Sequence, residues 1–166
     1  MKAILVREFG GPEVLKVEDI SDPRAPQSGE VLIRVAAAGV NPYDTYMRSG
    51  AYGAGNPTLP FTPSSDAAGV VESVGPGVDL MKGDRVFSSG TITGAYAELA
   101  LCKRSHVHSL PAPVSYAQSA GVHVPYATAY RALFQLARVK PCETLFVHGG
   151  SVGVGLAAIN SRGLQE

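Results

Sequence analysis

Short apolar runs separated by tight-turn residues follow one another through the first hundred residues, and they limit what this chain can fold into. The candidate strands are Met1–Arg7, Val14–Glu18, Val31–Ala37, Ala67–Val74, Arg85–Phe87 and Gly94–Ala100. Turn-forming breaks such as Asp22-Pro23 and Gly75-Pro76-Gly77 lie between them, and the 19 glycines and 12 prolines fit many short elements. Strands spaced this closely favour a small barrel or sandwich, so a β-rich domain is predicted.

A helical pattern replaces the strands after Pro113. Ser115 and Gln118 form a capping-box pair, and Pro125 suits the first turn of a second helix. Apolar residues then recur at helical spacing through Ala137, until Pro141 stops the run. These residues are therefore predicted to be connecting helices.

A strand, a glycine turn and a helix are predicted next, at Glu143–His148, Gly149–Gly155 and Leu156–Asn160. Such a unit begins a parallel α/β sheet, and a dinucleotide can bind at its turn. On the G-x-G-x-x-G pattern, the first and third glycines are Gly150 and Gly155, and Val152 occupies the middle position. A tight turn without a ligand is the alternative. The residue that separates NAD from NADP, about 20 positions further on, falls after Glu166.

Charge and composition exclude several other classes. The 14 basic and 14 acidic side chains balance, so net charge gives no case for nucleic acid or an anionic membrane. No apolar run of about 18 residues and no secretory leader are found, so a soluble intracellular protein, cytoplasmic by default, is expected. Cys102 and Cys142 are too few for a disulfide framework and are expected to be small packing residues.

Several long motifs occur in order. They are Gly39–Tyr52, Leu59–Pro63, Ser65–Val71, Lys82–Val86, Gly94–Glu98, Pro125–Leu133 and Val147–Gly149. Together they resemble the zeta-crystallin-like quinone oxidoreductases of the medium-chain dehydrogenase/reductase superfamily, over residues 1 to about 158. The resemblance implies a GroES-like catalytic domain, a Rossmann domain that binds NADPH, and reduction of quinones.

With that resemblance, we expect an α/β fold overall. A β-rich GroES-like barrel domain would span residues 1–113, connecting helices 114–141, and the first strand–turn–helix of a truncated Rossmann domain 142–166. The chain departs from the family at Ser64, where a glycine is usual, at Val152, and in being much shorter than its relatives. It is therefore expected to be the N-terminal part of such an enzyme, inactive by itself.

The resemblance also implies which residues form the site. Zinc-dependent relatives have a cysteine and a histidine where this chain has Asn41 and Ser65, so zinc independence and no metal site are expected. Asn41, Tyr46 and Tyr52 are the candidate catalytic residues that line the quinone and nicotinamide slot. The alternatives are half-buried packing tyrosines and, for Asn41, a helix cap.

Cofactor contacts are implied by the resemblance as well. The candidate NADPH-binding residues are Tyr46, Thr128, Gly150, Ser151, Val152, Gly153, Val154 and Gly155. Thr128 would contact the nicotinamide carboxamide; a hydroxyl bonded back to its own helix is the alternative. His106 and His108 alternate along a predicted strand without a third ligand, so surface imidazoles are expected.

The expected partners are a quinone substrate and, at full length, further copies of the same chain, with no membrane. A second function of another class remains open. The truncated chain could be a non-catalytic binding module for AU-rich messenger RNA, which the resemblance permits and no sequence feature demands.

Overall fold

The computed structural model describes residues 1–161, so the last residues of the predicted domain 142–166 lie outside the described part. The chain divides into two compact units. The first is Met1–Ala120, and the second starts at Gly121. The expected α/β class with a β-rich first part is confirmed. In residues 1–161, no helix has both the length and the apolar character needed to cross a bilayer.

Two antiparallel sheets build the first unit. Its strands are β1 (Lys2–Leu5), β2 (Lys16–Asp19), β3 (Glu30–Ala38), β4 (Ala67–Val74), β5 (Arg85–Ser88), β6 (Leu99–Lys103) and β7 (Val107–Ser109). Strands β1 and β2 pair with each other, and the larger sheet has the order β6-β3-β4-β5-β7. A 3-10 turn at Pro12–Val14 precedes β2.

Alternate residues of the central strands form the main core. Val31 and Ile33 of β3 pack with Val71 of β4, and the cluster also contains Leu80, Val86, Cys102 and Val107. Burial of apolar side chains on one face of an antiparallel sheet is the main stabilising contribution in such a fold. Burial also raises the pKa of the Cys102 thiol to about 12, so this cysteine is a packing residue, as expected.

Close approach of two backbones occurs where β3 pairs with β4. The pairing is irregular between Val35 and Ala37. At this point a Cβ on Gly69 would lie 2.0 Å from the carbonyl oxygen of Arg34. Only glycine fits here, which explains the glycine inside an otherwise apolar strand.

Short helices complete the first unit. Helix α1 (Pro42–Ser49) ends at Gly50, which has φ +74°, and a 3-10 turn follows at Gly53–Gly55. Helix α2 (Tyr116–Ala120) begins with the predicted capping box. The Ser115 backbone nitrogen donates to Gln118 Oε1 at 2.9 Å, and the Gln118 nitrogen donates to Ser115 Oγ at 3.1 Å.

The second unit is helical in its described part. Helix α3 (His123–Tyr130) has Pro125 in its first turn, as predicted, and continues as a π-helical segment at Arg131–Leu136. Helix α4 (Gly153–Asn160) follows the glycine turn. The small core consists of Ala129, Leu133, Ala157 and Ala158.

Two predicted strands differ from the structure. The strand predicted at Gly94–Ala100 instead begins at Leu99 and extends to Lys103. It pairs with β3 from Leu99, opposite Arg34, to Lys103, opposite Glu30, the first residue of β3. The strand predicted at Glu143–His148 is not formed. A strand needs a hydrogen-bonded neighbour, and no strand occurs in the described part of the second unit.

Candidate functional site

The loop between β3 and α1 lies directly against the residues that lead into β4. Gly39 donates its backbone N–H to the Asp66 carbonyl at 2.9 Å, and Ser64 Oγ donates to the Gly39 carbonyl at 2.9 Å. A Cβ on Gly39 would lie 2.4 Å from the Ala120 carbonyl oxygen and 2.9 Å from Asp66 Cβ. Glycine at this position therefore lets two loops and the end of α2 meet.

Asn41 sits at the centre of this contact. Its side-chain Nδ2 donates to Asp66 Oδ2 at 2.9 Å, and its backbone nitrogen donates to Asp44 Oδ2 at 2.8 Å. The residue is 7% exposed and is the N-cap of α1, which is the helix-cap alternative raised by the sequence. Both of these donors of Asn41 are thus held by carboxylates.

The carboxylates beneath Asn41 are themselves buried. Burial raises the pKa of Asp44, and the nearby Asp66 charge adds to this effect, whereas the Asn41 backbone N–H opposes it. Tyr96 donates its hydroxyl to Asp44 Oδ2 at 3.3 Å. Burial, followed by the charge of Asp44, raises the pKa of Tyr96 far above its usual range. The phenol therefore stays a neutral donor near neutral pH.

Tyr46 and Tyr52 lie on the outer side of the same segment. Tyr46 is 53% exposed on α1, and Tyr52, just beyond the helix, is 49% exposed. The Tyr52 ring meets the Tyr43 ring edge-on, with 5.2 Å between their centroids. Both tyrosines thus keep about half of their surface accessible, as a ligand-stacking role requires.

A cavity of about 460 Å³ lies beside α1 within the first unit. Tyr43, Asp44 and Met47 form one wall, and residues 60–65 and 91–94 form the others. This volume is in the range of small-molecule sites, and its wall combines apolar rings with a few polar groups. Among the described residues that line it, Asn41, Tyr46 and Tyr52 do not occur.

Two glycines keep the turn before α4 compact. Gly149 has φ +66°, and a Cβ on Gly155 would lie 2.1 Å from the Gly149 carbonyl oxygen. Gly155 therefore allows α4 to pack against the turn, the role of the third glycine in such motifs. The first backbone N–H groups of a helix have no partner within it and suit a phosphate. Val152, at the position of the middle glycine, is exposed and precedes α4.

Other candidate residues lie elsewhere. Thr128 Oγ1 donates to the Val124 carbonyl at 2.7 Å, the back-bonded alternative, and a hydroxyl so bonded can still accept. His106 ends a 3-10 turn, Arg104–His106, so the single strand predicted to carry both histidines is wrong; only His108 is in β7. In residues 1–161, no group of three His, Cys, Asp or Glu side chains could hold a metal ion.

Four residues that contact Asn41, or the residues next to it, were not predicted as site residues: Asp44, Ser64, Asp66 and Tyr96. Ser64 was noted only as a departure from glycine. One signal in the sequence could have found Asp66. It directly precedes the apolar run of β4, and a charged side chain at the start of a buried strand needs a partner. The partner itself could not be read from the sequence, because Asn41 and Asp66 are 25 positions apart.

Comparisons with known proteins give a family model and several named relatives that this chain matches. The family model "alcohol dehydrogenase GroES-like domain" matches residues 27–112. The human quinone oxidoreductase is 54% identical over 160 residues, and the rat protein is 53% identical over 158 residues. Each match covers 95% of this chain and 48% of the relative. The chain therefore spans about half the length of the curated relatives that it matches.

Solved structures give the same result. The Escherichia coli quinone oxidoreductase, complexed with NADPH, has a TM-score of 0.87 at 35% identity. A mycobacterial protein complexed with NADPH has a TM-score of 0.86 at 41% identity. Both matches cover 95% of this chain and 48% of the other chain. The similarity therefore extends through both compact units.

Proposed function

Because the chain belongs to the GroES-like alcohol dehydrogenase family, within the medium-chain dehydrogenase/reductase superfamily, we propose that it is the N-terminal part of a zinc-independent NADPH:quinone oxidoreductase. The observation that carries this proposal is the 54% identity with a named quinone oxidoreductase over 95% of the chain. The proposed activity belongs to the longer protein, because the matches cover about half of each relative.

The proposed zinc independence is supported by the side chains at the first-unit loops. Asn41 and Ser65 stand where zinc-dependent relatives carry a cysteine and a histidine, and neither is a usual zinc ligand. The Asn41 amide is instead bonded to Asp66. These two loops are therefore joined by a hydrogen bond between side chains.

The glycine turn fits the phosphates of the proposed cofactor. Gly150 and Gly155 keep the turn small, and Ser151 lies in it. The backbone N–H groups of Gly153 and Val154 lie at the start of α4, where a helix favours negative charge. Val152 donates its own backbone N–H to the Gly149 carbonyl at 3.2 Å, so it would lie beside the phosphates without donating to them. A bound nicotinamide would supply the reducing equivalents.

The proposed roles of the first-unit side chains follow from their accessibility and hydrogen bonds. Tyr46 and Tyr52 would hold a flat ring with their half-exposed faces and donate from their hydroxyls to its carbonyl oxygen. Asn41 would orient the ring through its amide. Thr128 would accept from the carboxamide of the nicotinamide, since its own proton is used within α3.

A hybrid protein tests this proposal. In it, this chain replaces the matching half of the human relative, and NADPH oxidation is followed with a para-quinone and an ortho-quinone. We expect quinone-dependent oxidation that persists after exhaustive chelation, and no turnover by the 166-residue chain alone. A folded hybrid that binds NADPH but reduces no quinone would refute the substrate class. Loss of activity on chelation, restored by Zn²⁺, would refute zinc independence.

Variants of the two tyrosines connect the activity to the proposed residues. Tyr46→Phe and Tyr52→Phe each keep the ring and remove the hydroxyl donor. We expect kcat/KM for the quinone to fall by roughly tenfold in each, the effect of losing one hydrogen bond to the reacting group. Tyr116→Phe is the matched control, because its hydroxyl contacts Arg85 outside the site. Unchanged rates in both variants would remove the tyrosines from the proposal.

A further inference from the structure

Two buried carboxylates hold Asn41 from different directions. Asp44 accepts from the backbone nitrogen at 2.8 Å, and Asp66 accepts from the side-chain Nδ2 at 2.9 Å. Asp44 comes from the first turn of α1, whereas Asp66 directly precedes β4. The backbone and the amide of Asn41 are therefore fixed by separate elements.

The contact with Asp66 determines which way the amide faces. The amide nitrogen Nδ2 faces the carboxyl group, because it donates to Asp66 Oδ2 at 2.9 Å. The flipped amide would place its oxygen against Asp66 Oδ2, with two acceptors at hydrogen-bond distance and no proton between them. One of the two Nδ2 hydrogens is used by Asp66, and the same nitrogen carries a second hydrogen.

Asp66 is itself held rigidly. Its side chain is 1% exposed, and its backbone carbonyl accepts from Gly39 at 2.9 Å. Its backbone nitrogen donates to Ser64 Oγ at 3.3 Å, and the same hydroxyl donates to the Gly39 carbonyl. The backbone that carries this carboxylate is therefore held by Gly39 and Ser64, and burial leaves the side chain little room to move.

We propose that Asp66 is a positioning residue of the site. By accepting from Asn41 Nδ2 it fixes the direction of that amide and presents the second Nδ2 hydrogen to the carbonyl oxygen of a bound ring. The inference rests on the proposed function for its substrate, but the fixed amide is a property of this chain alone. The two can be tested separately.

The first test measures the Asn41 side-chain amide by ¹⁵N-edited NMR in the 166-residue chain. Its resonance pair is assigned by its loss in Asn41→Ser, which keeps a good N-cap residue. We expect the pair to exchange with solvent roughly tenfold to a hundredfold more slowly than in Asp66→Ala, the range for loss of a charge-assisted hydrogen bond. Asp66→Asn should be intermediate, since its amide oxygen still accepts.

An effect on the whole loop must be separated from an effect on the amide. Ser88 anchors the same segment, because its Oγ accepts from the Ala67 nitrogen at 3.1 Å and donates to the Ser65 carbonyl at 3.2 Å. Ser88→Ala therefore weakens the segment without removing the partner of Asn41. We expect its Asn41 amide to remain protected. Equal loss of protection in Ser88→Ala and Asp66→Asn, or an unprotected pair in the unmodified chain, would overturn the inference.

The second test uses the hybrid enzyme. Asp66→Asn should lower kcat/KM for the quinone by about tenfold relative to the Ser88→Ala hybrid, and Asp66→Ala should lower it further. If the unmodified hybrid reduces no quinone while the Asn41 amide is protected, the proposed function fails and the fixed amide stands. If the hybrid is active and Asp66→Asn loses amide protection without losing rate, the positioning role is wrong.

Discussion

Ser64 adopts a backbone conformation that usually belongs to glycine. Its φ is +72°, and it lies 9% exposed in the turn before β4. A side chain in this region is unfavourable by about 1–2 kcal/mol. The hydroxyl offsets this cost, because it donates to Gly39 at 2.9 Å and accepts from Asp66 at 3.3 Å. The hydrogen bonds of its hydroxyl thus stabilise Ser64 in a backbone conformation that usually requires glycine.

Two substitutions of Ser64 separate the backbone cost from the hydrogen bonds. Ser64→Ala keeps the unfavourable φ and loses both bonds, so it should lower the free energy of unfolding by about 1–3 kcal/mol. Ser64→Gly loses the same bonds but relieves the backbone, so its loss should be smaller by about 1 kcal/mol. Urea unfolding of the three proteins gives the order. An alanine variant at least as stable as the glycine variant would contradict this explanation.

The raised pKa of Asp44 predicts a dependence of stability on pH. The folded chain binds this proton more tightly than the unfolded chain, whose carboxyl has the ordinary value of 3.8. Stability from this group is therefore lost as pH rises from that value through the raised one. Asp44→Asn, which keeps an acceptor for Asn41 and Tyr96, should gain stability relative to the parent over this window.

Chemical unfolding of both proteins at a series of pH values measures that difference. The groups that face Asp44 are Asp66, Tyr96, Asn41 and the Ser64 backbone, and Tyr96 keeps its proton between pH 5 and 8 because its pKa is raised far above the usual range. The gain should therefore level off above the raised pKa of Asp44. A stability difference that is the same at every pH would show that this carboxyl has no raised pKa.

Single residues of the site could be predicted from the sequence only in part. The motif around Asn41 indicated this residue, and its helix-capping role was an open alternative. Its partners could not be predicted, because Asp66 is 25 positions away and Tyr96 reaches Asp44 across 52 positions. Such contacts depend on how β3 and β4 pair, and the residue types alone do not determine that pairing.

The same limit applies to whole elements. Strand β4 was predicted at its observed bounds, Ala67–Val74, because a glycine turn ends a continuous apolar run. The predicted bounds of β6 were displaced, since Gly94–Glu98 alternates like a strand but forms no strand, pairing through an isolated bridge, Ala3 to Ala97, and single hydrogen bonds. The sequence pattern therefore predicts the bounds of a strand correctly where a sharp turn ends it. Pairing partners set the bounds elsewhere.

The turn before α4 can be tested with two glycines of different role. Gly155→Ala would place a Cβ 2.1 Å from the Gly149 carbonyl oxygen, so the turn and the helix must separate. Gly153→Ala places a Cβ at an ordinary 3.5 Å from Pro125, where alanine favours the helix. We expect circular dichroism to show less helix in Gly155→Ala and equal or more in Gly153→Ala.

The matching measurement for the proposed function is NADPH binding by the hybrid enzyme. Gly155→Ala should weaken binding by about tenfold or more, because the N–H groups at the start of α4 would no longer converge. Gly153→Ala serves as the structural control for helix content. Unchanged helix content and unchanged NADPH affinity in Gly155→Ala would contradict this prediction, because the turn would then accommodate the added Cβ without rearranging.

At the scale of the whole molecule, the two units differ in how their backbones are paired. The first unit has five strands in one antiparallel sheet, with a core that includes Val31 and Ile33. The second has an apolar segment, Glu143–His148, that forms no strand and leaves Phe146 80% exposed. Fixing each backbone residue costs about 1–2 kcal/mol in entropy, and this segment has no sheet partner among residues 1–161 to offset that cost.

Amide hydrogen exchange should therefore separate the units. In the 166-residue chain, amides of β3 and β4 should exchange slowest, whereas residues 143–148 should exchange almost as fast as an unfolded peptide. In the hybrid, where the remaining half of the relative is present, residues 143–148 should become protected, since the apolar pattern then has strands to pair with. Strong protection of residues 143–148 in the 166-residue chain would mean that burial in the second unit alone stabilises them.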